Sequence, residues 1–140
     1  MKWTDTEILC SHCTKPIRKC KKKKQVWKQL LNNSHNAWLL RKTRDVPNTY
    51  GLYCISTNDE DEILYIGYSN RSVRTRLLAH TGGYDRQKIG KFLKGEDLKE
   101  FSISWVNEKK AECLEENFID FVTLKQGFRP RFNLKRGRSC

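Results

Sequence analysis

The amino-acid sequence predicts a small α+β domain in which helices flank a three-stranded antiparallel sheet. Two β-rich apolar runs, residues 50–56 and 63–67, are separated by polar turn residues and predict a hairpin. The alternation of apolar and polar residues over 101–106 predicts a third strand. Helical periodicity over 72–80 and 108–125 places one helix after the hairpin and a longer one after the third strand.

A short basic extension precedes this domain, and we place it at residues 1–47. Apolar residues recur over 25–42 in a pattern that is compatible with two short helices interrupted around residues 32–34. Pro47 disfavours helix in the residue before it, so the boundary is expected between residues 45 and 48. Residues 48–140 then form the α+β domain and a basic C-terminal tail.

The helices of the α+β domain have identifiable ends in the sequence. Ser72 is suited to cap a helix that runs to about His80. Residues 88–94 predict a further short helix. The helix over 108–125 is expected to end before Gly127, because glycine accepts the left-handed conformation that often terminates a helix.

The charge of the chain indicates a polyanionic partner. The formal net charge is +12, and residues 1–49 hold twelve Lys and Arg against three Asp and Glu. Nucleic acid is therefore the expected partner, with the extension gripping backbone phosphates. The alternative is a solvated basic tail that only aids solubility. The predicted phosphate contacts are Lys21, Lys22, Lys23, Lys24, Arg74, Lys135 and Arg136.

Composition also predicts where the chain works. No apolar run approaches the ~18 residues of a membrane span, and the N-terminus lacks the apolar stretch of a signal peptide. We therefore expect a soluble intracellular protein with no membrane partner, nuclear in a eukaryote and cytoplasmic in a prokaryote. The six cysteines are then expected to be reduced thiols or metal ligands.

A zinc site in the extension is a weak prediction. Cys10 and Cys13 have the spacing of a zinc knuckle, and Cys20 with His12 or His35 would complete four ligands. A second Cys-x-x-Cys pair is missing, however. The alternative is that these cysteines are ordinary thiols in a basic arm.

The most specific pattern begins with two triplets on the predicted hairpin, Gly51-Leu52-Tyr53 and Tyr65-Ile66-Gly67. Four further residues follow in order, on the two predicted helices and after them: Arg76, His80, Glu115 and Asn133. Together these elements resemble the signature of the GIY-YIG nuclease superfamily over about residues 48–135. Leu52 stands where the family usually has Ile, and this apolar exchange is expected to fill the same core position.

The resemblance implies a divalent-metal-dependent endonuclease that hydrolyses DNA phosphodiester bonds and leaves a 5′ phosphate and a 3′ hydroxyl. Glu115 would bind Mg²⁺ or Mn²⁺, which prefer hard oxygen ligands. Arg76 would bind two non-bridging phosphate oxygens. Tyr53 would be the favoured base, with Tyr65 supporting the metal-bound water network and His80 as a helper or alternative base.

The arginine of the site is chosen among three candidates. Arg71, Arg74 and Arg76 could each reach a phosphate. A four-residue step puts Arg76 and His80 on one helical face, and the family shows the same step. We therefore select Arg76.

The carboxylate is chosen in the same way. Glu115 is preferred to Glu112 and Glu116 because it follows Leu114 at the offset that the family shows. The resemblance also implies that Asn133 fixes the site by hydrogen bonds. Taken alone, a glutamate on an amphipathic helix would usually face solvent.

Three functional hypotheses follow. The first is a magnesium-dependent endonuclease acting on DNA that is branched or is a sequence-specific duplex. The second is a catalytically inactive nucleic-acid-binding module on the same scaffold, and cleavage of DNA in the presence of Mg²⁺ distinguishes it from the first. The third is a zinc-bearing basic binding protein, which metal analysis would test.

Overall fold

The fold is a sheet covered by helices on both faces. In the computed structural model of this chain, the described residues are 10, 15–32, 34–38, 46–58, 62–82, 87–111 and 114–133.

The sheet has four antiparallel strands in the described part of the chain, in the spatial order β1-β4-β2-β3. The strands are β1 (His35–Asn36), β2 (Gly51–Thr57), β3 (Ile63–Ser69) and β4 (Phe101–Val106). The predicted hairpin and third strand are confirmed as β2, β3 and β4. The sequence predicted three strands, whereas the described part of the chain has four. The additional strand is a two-residue edge strand paired with β4, too short to show alternation in the sequence.

Four α-helices accompany these strands in the described ranges: α1 (Lys21–Asn32), α2 (Val73–Gly82), α3 (Lys88–Lys94) and α4 (Glu115–Gln126). Short 3-10 turns at Ile17–Lys19 and Leu98–Glu100 precede α1 and β4. The predictions of α2 and α3 are confirmed. Gly127 ends α4 as predicted, in the left-handed conformation with φ of 89°.

The fourth helix begins later than predicted. The expected start was residue 108, but residues 108–110 are not helical and α4 starts at Glu115. The observed start is favourable for the helix dipole, because Glu115 and Glu116 lie in the first turn of α4.

The N-terminal helix also differs from its prediction. It begins at Lys21, four residues earlier than expected, because lysine is a good helix former and the lysine run joins the helix. Ala37 and Trp38 form a 3-10 turn after β1. The rest of the second predicted helix, residues 39–42, lies outside the described residues.

Two hydrophobic clusters lie on opposite faces of the sheet. One is built from α1, α4 and the side chains of Leu52 and Cys54 on β2. The other is built from α2, α3 and the alternate β2 residues Tyr53 and Ile55. Because side chains alternate along a strand, β2 contributes to both clusters and is buried throughout residues 51–55.

The N-terminal extension shares the core of the α+β domain. The Trp27 ring of α1 lies 5.2 Å from the Phe118 ring and 4.9 Å from the Phe121 ring of α4, measured between centroids. Val26 and Leu30 lie in the same cluster. The first helix is therefore packed against the last one rather than held apart from it.

Candidate active site

The two signature glycines allow close packing at the centre of the sheet. Gly67 pairs with Tyr53 across β2 and β3. A Cβ atom on Gly67 would lie 2.5 Å from both Cζ and the hydroxyl oxygen of Tyr53. A Cβ on Gly51 would lie 2.5 Å from the Val106 carbonyl oxygen. Both glycines are needed because a neighbouring group occupies the space of a side chain.

Tyr53, Tyr65 and His80 form an aromatic cluster above Gly67. The Tyr53 hydroxyl lies 2.8 Å from Nε2 of His80, within hydrogen-bond distance. The Tyr65 ring centroid lies 5.2 Å from that of His80 and 6.1 Å from that of Tyr53. Tyr53 and His80 are completely buried, while Tyr65 is half-buried. The two tyrosines of the signature therefore have different access to solvent.

Burial holds the Tyr53 phenol in its protonated form. Desolvation raises the pKa of Tyr53 far above its ordinary value, and the neighbouring Tyr65 adds to the increase. The Arg76 guanidinium beside the phenol lowers the pKa but does not reverse the shift. In this arrangement Tyr53 is a hydrogen-bonding group and not a ready base.

A cleft of about 700 Å³ opens beside this cluster, where the C-terminal part of β3 meets the first turns of α2 and α4. Three of the predicted catalytic residues line it: Tyr65 from β3, Arg76 from α2 and Glu115 from α4. They come from three separate stretches of the sequence, so only the fold brings them together. A phenol, a guanidinium and a carboxylate thus face one open space.

The other three predicted catalytic residues are not among the residues lining the cleft. Tyr53 and His80 lie behind Tyr65 and support it from the core. Asn133 instead binds the backbone of β3: its Oδ1 accepts from the Ile66 N–H at 2.8 Å, and its Nδ2 donates to the Ile66 carbonyl at 2.8 Å. Asn133 holds the edge strand that carries Tyr65 and Gly67.

Several lining residues were not predicted as site residues. Gln87, just before α3, accepts a hydrogen bond from the Tyr65 hydroxyl at 3.1 Å. Tyr68 and the polar turn between β3 and α2 also line the cleft. The turn could have been found from the sequence, since Ser69 to Ser72 directly follows the second triplet. Gln87 could not, because nothing in its local sequence indicates a partner on β3.

The arginine candidates are separated by the structure. Arg76 and Arg71 both line the cleft. Arg74 turns towards the start of the domain, where its Nε donates to the Val46 carbonyl at 2.7 Å. Arg74 therefore links α2 to the segment before β2. This structural contact is sufficient to explain an arginine at position 74 without phosphate binding.

The lysine run of α1 divides between surface and core. Lys21 and Lys22 are exposed and Lys24 is half-buried, and Lys22 lies 3.7 Å from the Glu108 carboxylate. Lys23 is only 2 % exposed and donates a hydrogen bond to Oδ1 of Asn117. The prediction that Lys23 contacts phosphate is therefore wrong, because a buried side chain cannot reach a phosphate group. Lys135 and Arg136 lie outside the described residues.

The described residues do not test the zinc prediction. Cys10 is buried, and the His35 ring stacks on Trp105 with centroids 4.7 Å apart. No group of three or more potential metal-ligating side chains occurs in the part of the chain that the structure describes. Cys13 and His12 lie outside that part. Cys20 is half-buried at the end of the first 3-10 turn.

The cleft contains donors of the kind that a hard divalent cation binds. Glu115 supplies carboxylate oxygens, and the open cleft leaves room for the water ligands that Mg²⁺ usually retains. Glu115 is the only carboxylate among the lining residues described, which fits a site completed by water and substrate oxygens. The donor set is therefore compatible with Mg²⁺ or Mn²⁺.

Comparisons of the chain with protein-family models, with curated proteins and with solved structures find no significant match. None of the helices that the structure describes has the length and apolar character needed to cross a membrane.

Proposed function

We propose that this chain is a divalent-metal-dependent DNA endonuclease that hydrolyses phosphodiester bonds in the cleft between β3, α2 and α4. The observation that carries the proposal is the meeting of Tyr65, Arg76 and Glu115 in that cleft. Phosphodiester hydrolysis requires a positioned water, a cation near the growing negative charge and a site for the leaving oxygen. These three side chains are suited to the first two requirements.

Each side chain has a distinct task in this proposal. Glu115 would hold Mg²⁺ or Mn²⁺, which acts as a Lewis acid when bound. Arg76 would bind the non-bridging oxygens of the phosphate and remain charged at any working pH. Tyr65 would orient the attacking water, because it is the one of the two signature tyrosines that lines the cleft.

The family resemblance implies that Tyr53 is the base and that Tyr65 supports the metal-bound water. In this proposal Tyr65 acts on the water and Tyr53 supports it. Tyr53 is buried and burial raises its pKa, so its phenol stays protonated. It would therefore pass a proton from Tyr65 to His80 rather than take one from water directly. Its hydroxyl lies 2.8 Å from Nε2 of His80, so the imidazole is placed to accept a proton that passes through Tyr53. As water attacks phosphorus, the bond to the 3′ oxygen breaks, and that oxygen takes a proton from solvent.

The proposed test is a comparison of two adjacent glutamates. Glu115→Ala should reduce Mg²⁺-dependent nicking of supercoiled plasmid by about a hundredfold or more, because a catalytic metal supplies several kcal/mol of charge stabilisation. Binding to the same DNA without metal should persist. Glu116→Ala is the matched control and should nick as the native chain does, since Glu116 is not among the lining residues. Equal nicking by all three chains would refute the proposal.

The second candidate is a catalytically inactive nucleic-acid-binding module. The burial of Tyr53 and its raised pKa favour this candidate, because the base implied by the resemblance is protonated and is not among the residues lining the cleft. In that case the native chain would bind DNA and leave it intact with Mg²⁺ or Mn²⁺. A panel of duplex, flap, branched and single-stranded DNAs decides between the candidates and defines the preferred substrate.

A further inference from the structure

We propose that Lys23, in the basic N-terminal extension, is a positioning residue that orients the first turn of α4 and thereby Glu115. The consequence for metal binding rests on the proposed function, but the orientation of the helix does not. The proposal starts from the burial of a side chain that sequence analysis assigned to phosphate binding.

A buried lysine requires a partner. Lys23 is 2 % exposed, and an ammonium group is costly to remove from water unless it is hydrogen-bonded. It donates to Oδ1 of Asn117, which is also 2 % exposed and lies ninety-four residues away in sequence. The contact therefore joins the N-terminal helix to the first turn of α4.

The position of Asn117 relates this contact to the cleft. Asn117 follows Glu115 by two residues, and two residues correspond to a rotation of about 200° around an α-helix. The Asn117 side chain accordingly points into the core towards α1, while Glu115 points into the cleft. Rotation of the first turn would move both side chains together.

Among the described residues, the one at the N-cap position of α4 makes no side-chain capping hydrogen bond. Leu114 occupies the N-cap position, and a leucine side chain cannot accept a hydrogen bond from the first turn. Tertiary contacts with α1 are available instead. Lys22 lies against Glu108 before the helix, and Trp27 packs on Phe118 within it.

These contacts surround Glu115 in the sequence. The salt bridge lies on its N-terminal side, and the Lys23–Asn117 and Trp27–Phe118 contacts lie on its C-terminal side. A directional hydrogen bond distinguishes one rotation of the helix from another, whereas apolar packing is less selective. Lys23 therefore supplies the contact that specifies where the Glu115 carboxylate points.

The test measures helix order and metal affinity separately in the full chain. Lys23→Met keeps most of the apolar stem and removes the donor. Hydrogen exchange of the amides of residues 114–118 should accelerate relative to those of residues 119–126. The Kd for Mn²⁺, measured by calorimetry without DNA, should rise about tenfold, as when a partner of a metal ligand is removed. Affinity for DNA in metal-free buffer should not change.

A core variant on the other face of the sheet controls for lost stability. Leu98→Ala removes buried methyl groups from the cluster that contains α2 and α3. It should lower stability without changing the Kd for Mn²⁺. The double variant Lys23→Met, Asn117→Leu removes donor and acceptor together, so neither is left buried without a partner. It should reproduce the effect of Lys23→Met and covers the case in which that variant does not fold.

The outcomes separate the two proposals. If the native chain binds no Mn²⁺ and cuts no DNA, the proposed function fails, and the exchange measurement still decides whether Lys23 orders α4. If the native chain cuts DNA but Lys23→Met and the double variant keep native exchange and native Mn²⁺ affinity, the positioning role is refuted. An equal loss of Mn²⁺ affinity in Leu98→Ala would also refute it, because stability alone would then explain the effect.

Discussion

Tyr53 and Tyr65 lie on paired strands and carry the same side chain, yet their surroundings differ. Tyr53 is enclosed by His80 and the backbone of Gly67, whereas Tyr65 reaches the cleft and donates to Gln87. Because ionisation requires hydration or a compensating charge, burial raises the pKa of Tyr53 and keeps its phenol protonated. A residue's chemistry in this site is decided by its environment more than by its type.

The buried phenol predicts a dependence of stability on alkaline pH. The unfolded chain ionises Tyr53 near the ordinary pKa of about 10, while the folded chain keeps it protonated because burial raises the pKa of Tyr53. Its contribution is thus fully present below about pH 10 and is lost as pH rises further, by up to about 1.4 kcal/mol per pH unit. Urea unfolding at increasing pH measures this loss.

Tyr53→Phe should remove that part of the alkaline loss. It should also cost about 1 kcal/mol near neutral pH, because the hydrogen bond to His80 disappears. Tyr50→Phe, which removes a phenol that is 39 % exposed, is the control. The interpretation is wrong if Tyr53→Phe and the native chain lose the same free energy of unfolding above pH 10.

At the scale of elements, the edge strand β3 depends on the segment after α4. Asn133 satisfies both backbone groups of Ile66, and the Phe132 N–H donates to the Leu64 carbonyl at 3.0 Å. Gln126 similarly bonds both backbone groups of Ile63. The edge of β3 is thereby covered over part of its length, which limits pairing with another chain.

Asn133→Ala should destabilise the fold by about 2–4 kcal/mol, because it leaves the N–H and carbonyl of Ile66 without their partner in a buried position. The free energy of unfolding in urea measures the effect. Asn107→Ala changes an exposed asparagine and should be nearly neutral. If Asn133→Ala is as stable as the native chain, the edge of β3 does not depend on this side chain.

Across the whole molecule, the basic extension and the proposed catalytic domain share one core. Trp27 packs between two phenylalanines of α4, and Ile17 lies in the same cluster. The extension therefore does more than add positive charge. Its exposed lysines are available for phosphate contacts, while its buried face stabilises the helix that begins with Glu115.

Trp27→Ala should lower the free energy of unfolding of the entire chain by about 3–5 kcal/mol, as expected for removal of a large buried ring. A single cooperative transition is expected in urea, shifted as a unit. Leu31→Ala, on the same helix but 36 % exposed, should have a much smaller effect. Separate transitions for the extension and the remaining chain would show that the two parts fold independently.

Local sequence patterns were sufficient for much of the fold. The alternation over residues 101–106, the two apolar runs of the hairpin and Gly127 are local patterns. The structure confirms what they predicted, namely β4, the pairing of β2 with β3 and the end of α4. The two-residue β1 carries no such pattern, so it was missed. The start of α4 was misplaced because apolar periodicity does not register charge, and the observed start is marked by Glu115 and Glu116 in the first turn.

The candidate site was predictable only as an ordered set of residues. Spacing indicated Tyr65, Arg76 and Glu115, but it could not separate them from Tyr53 and His80, which lie behind the cleft. Nor did it indicate Gln87, which meets Tyr65 only through the packing of α3.

The sequence by itself determined most element types, the excess of positive charge and the candidate residues, because these properties depend on composition and on neighbours along the chain. The tertiary structure decided which tyrosine reaches solvent and that Lys23 is buried against Asn117. The solvent exposure of the tyrosines and the burial of Lys23 depend on partners far away in sequence. Neither exposure nor burial is defined until the helices have packed onto the sheet.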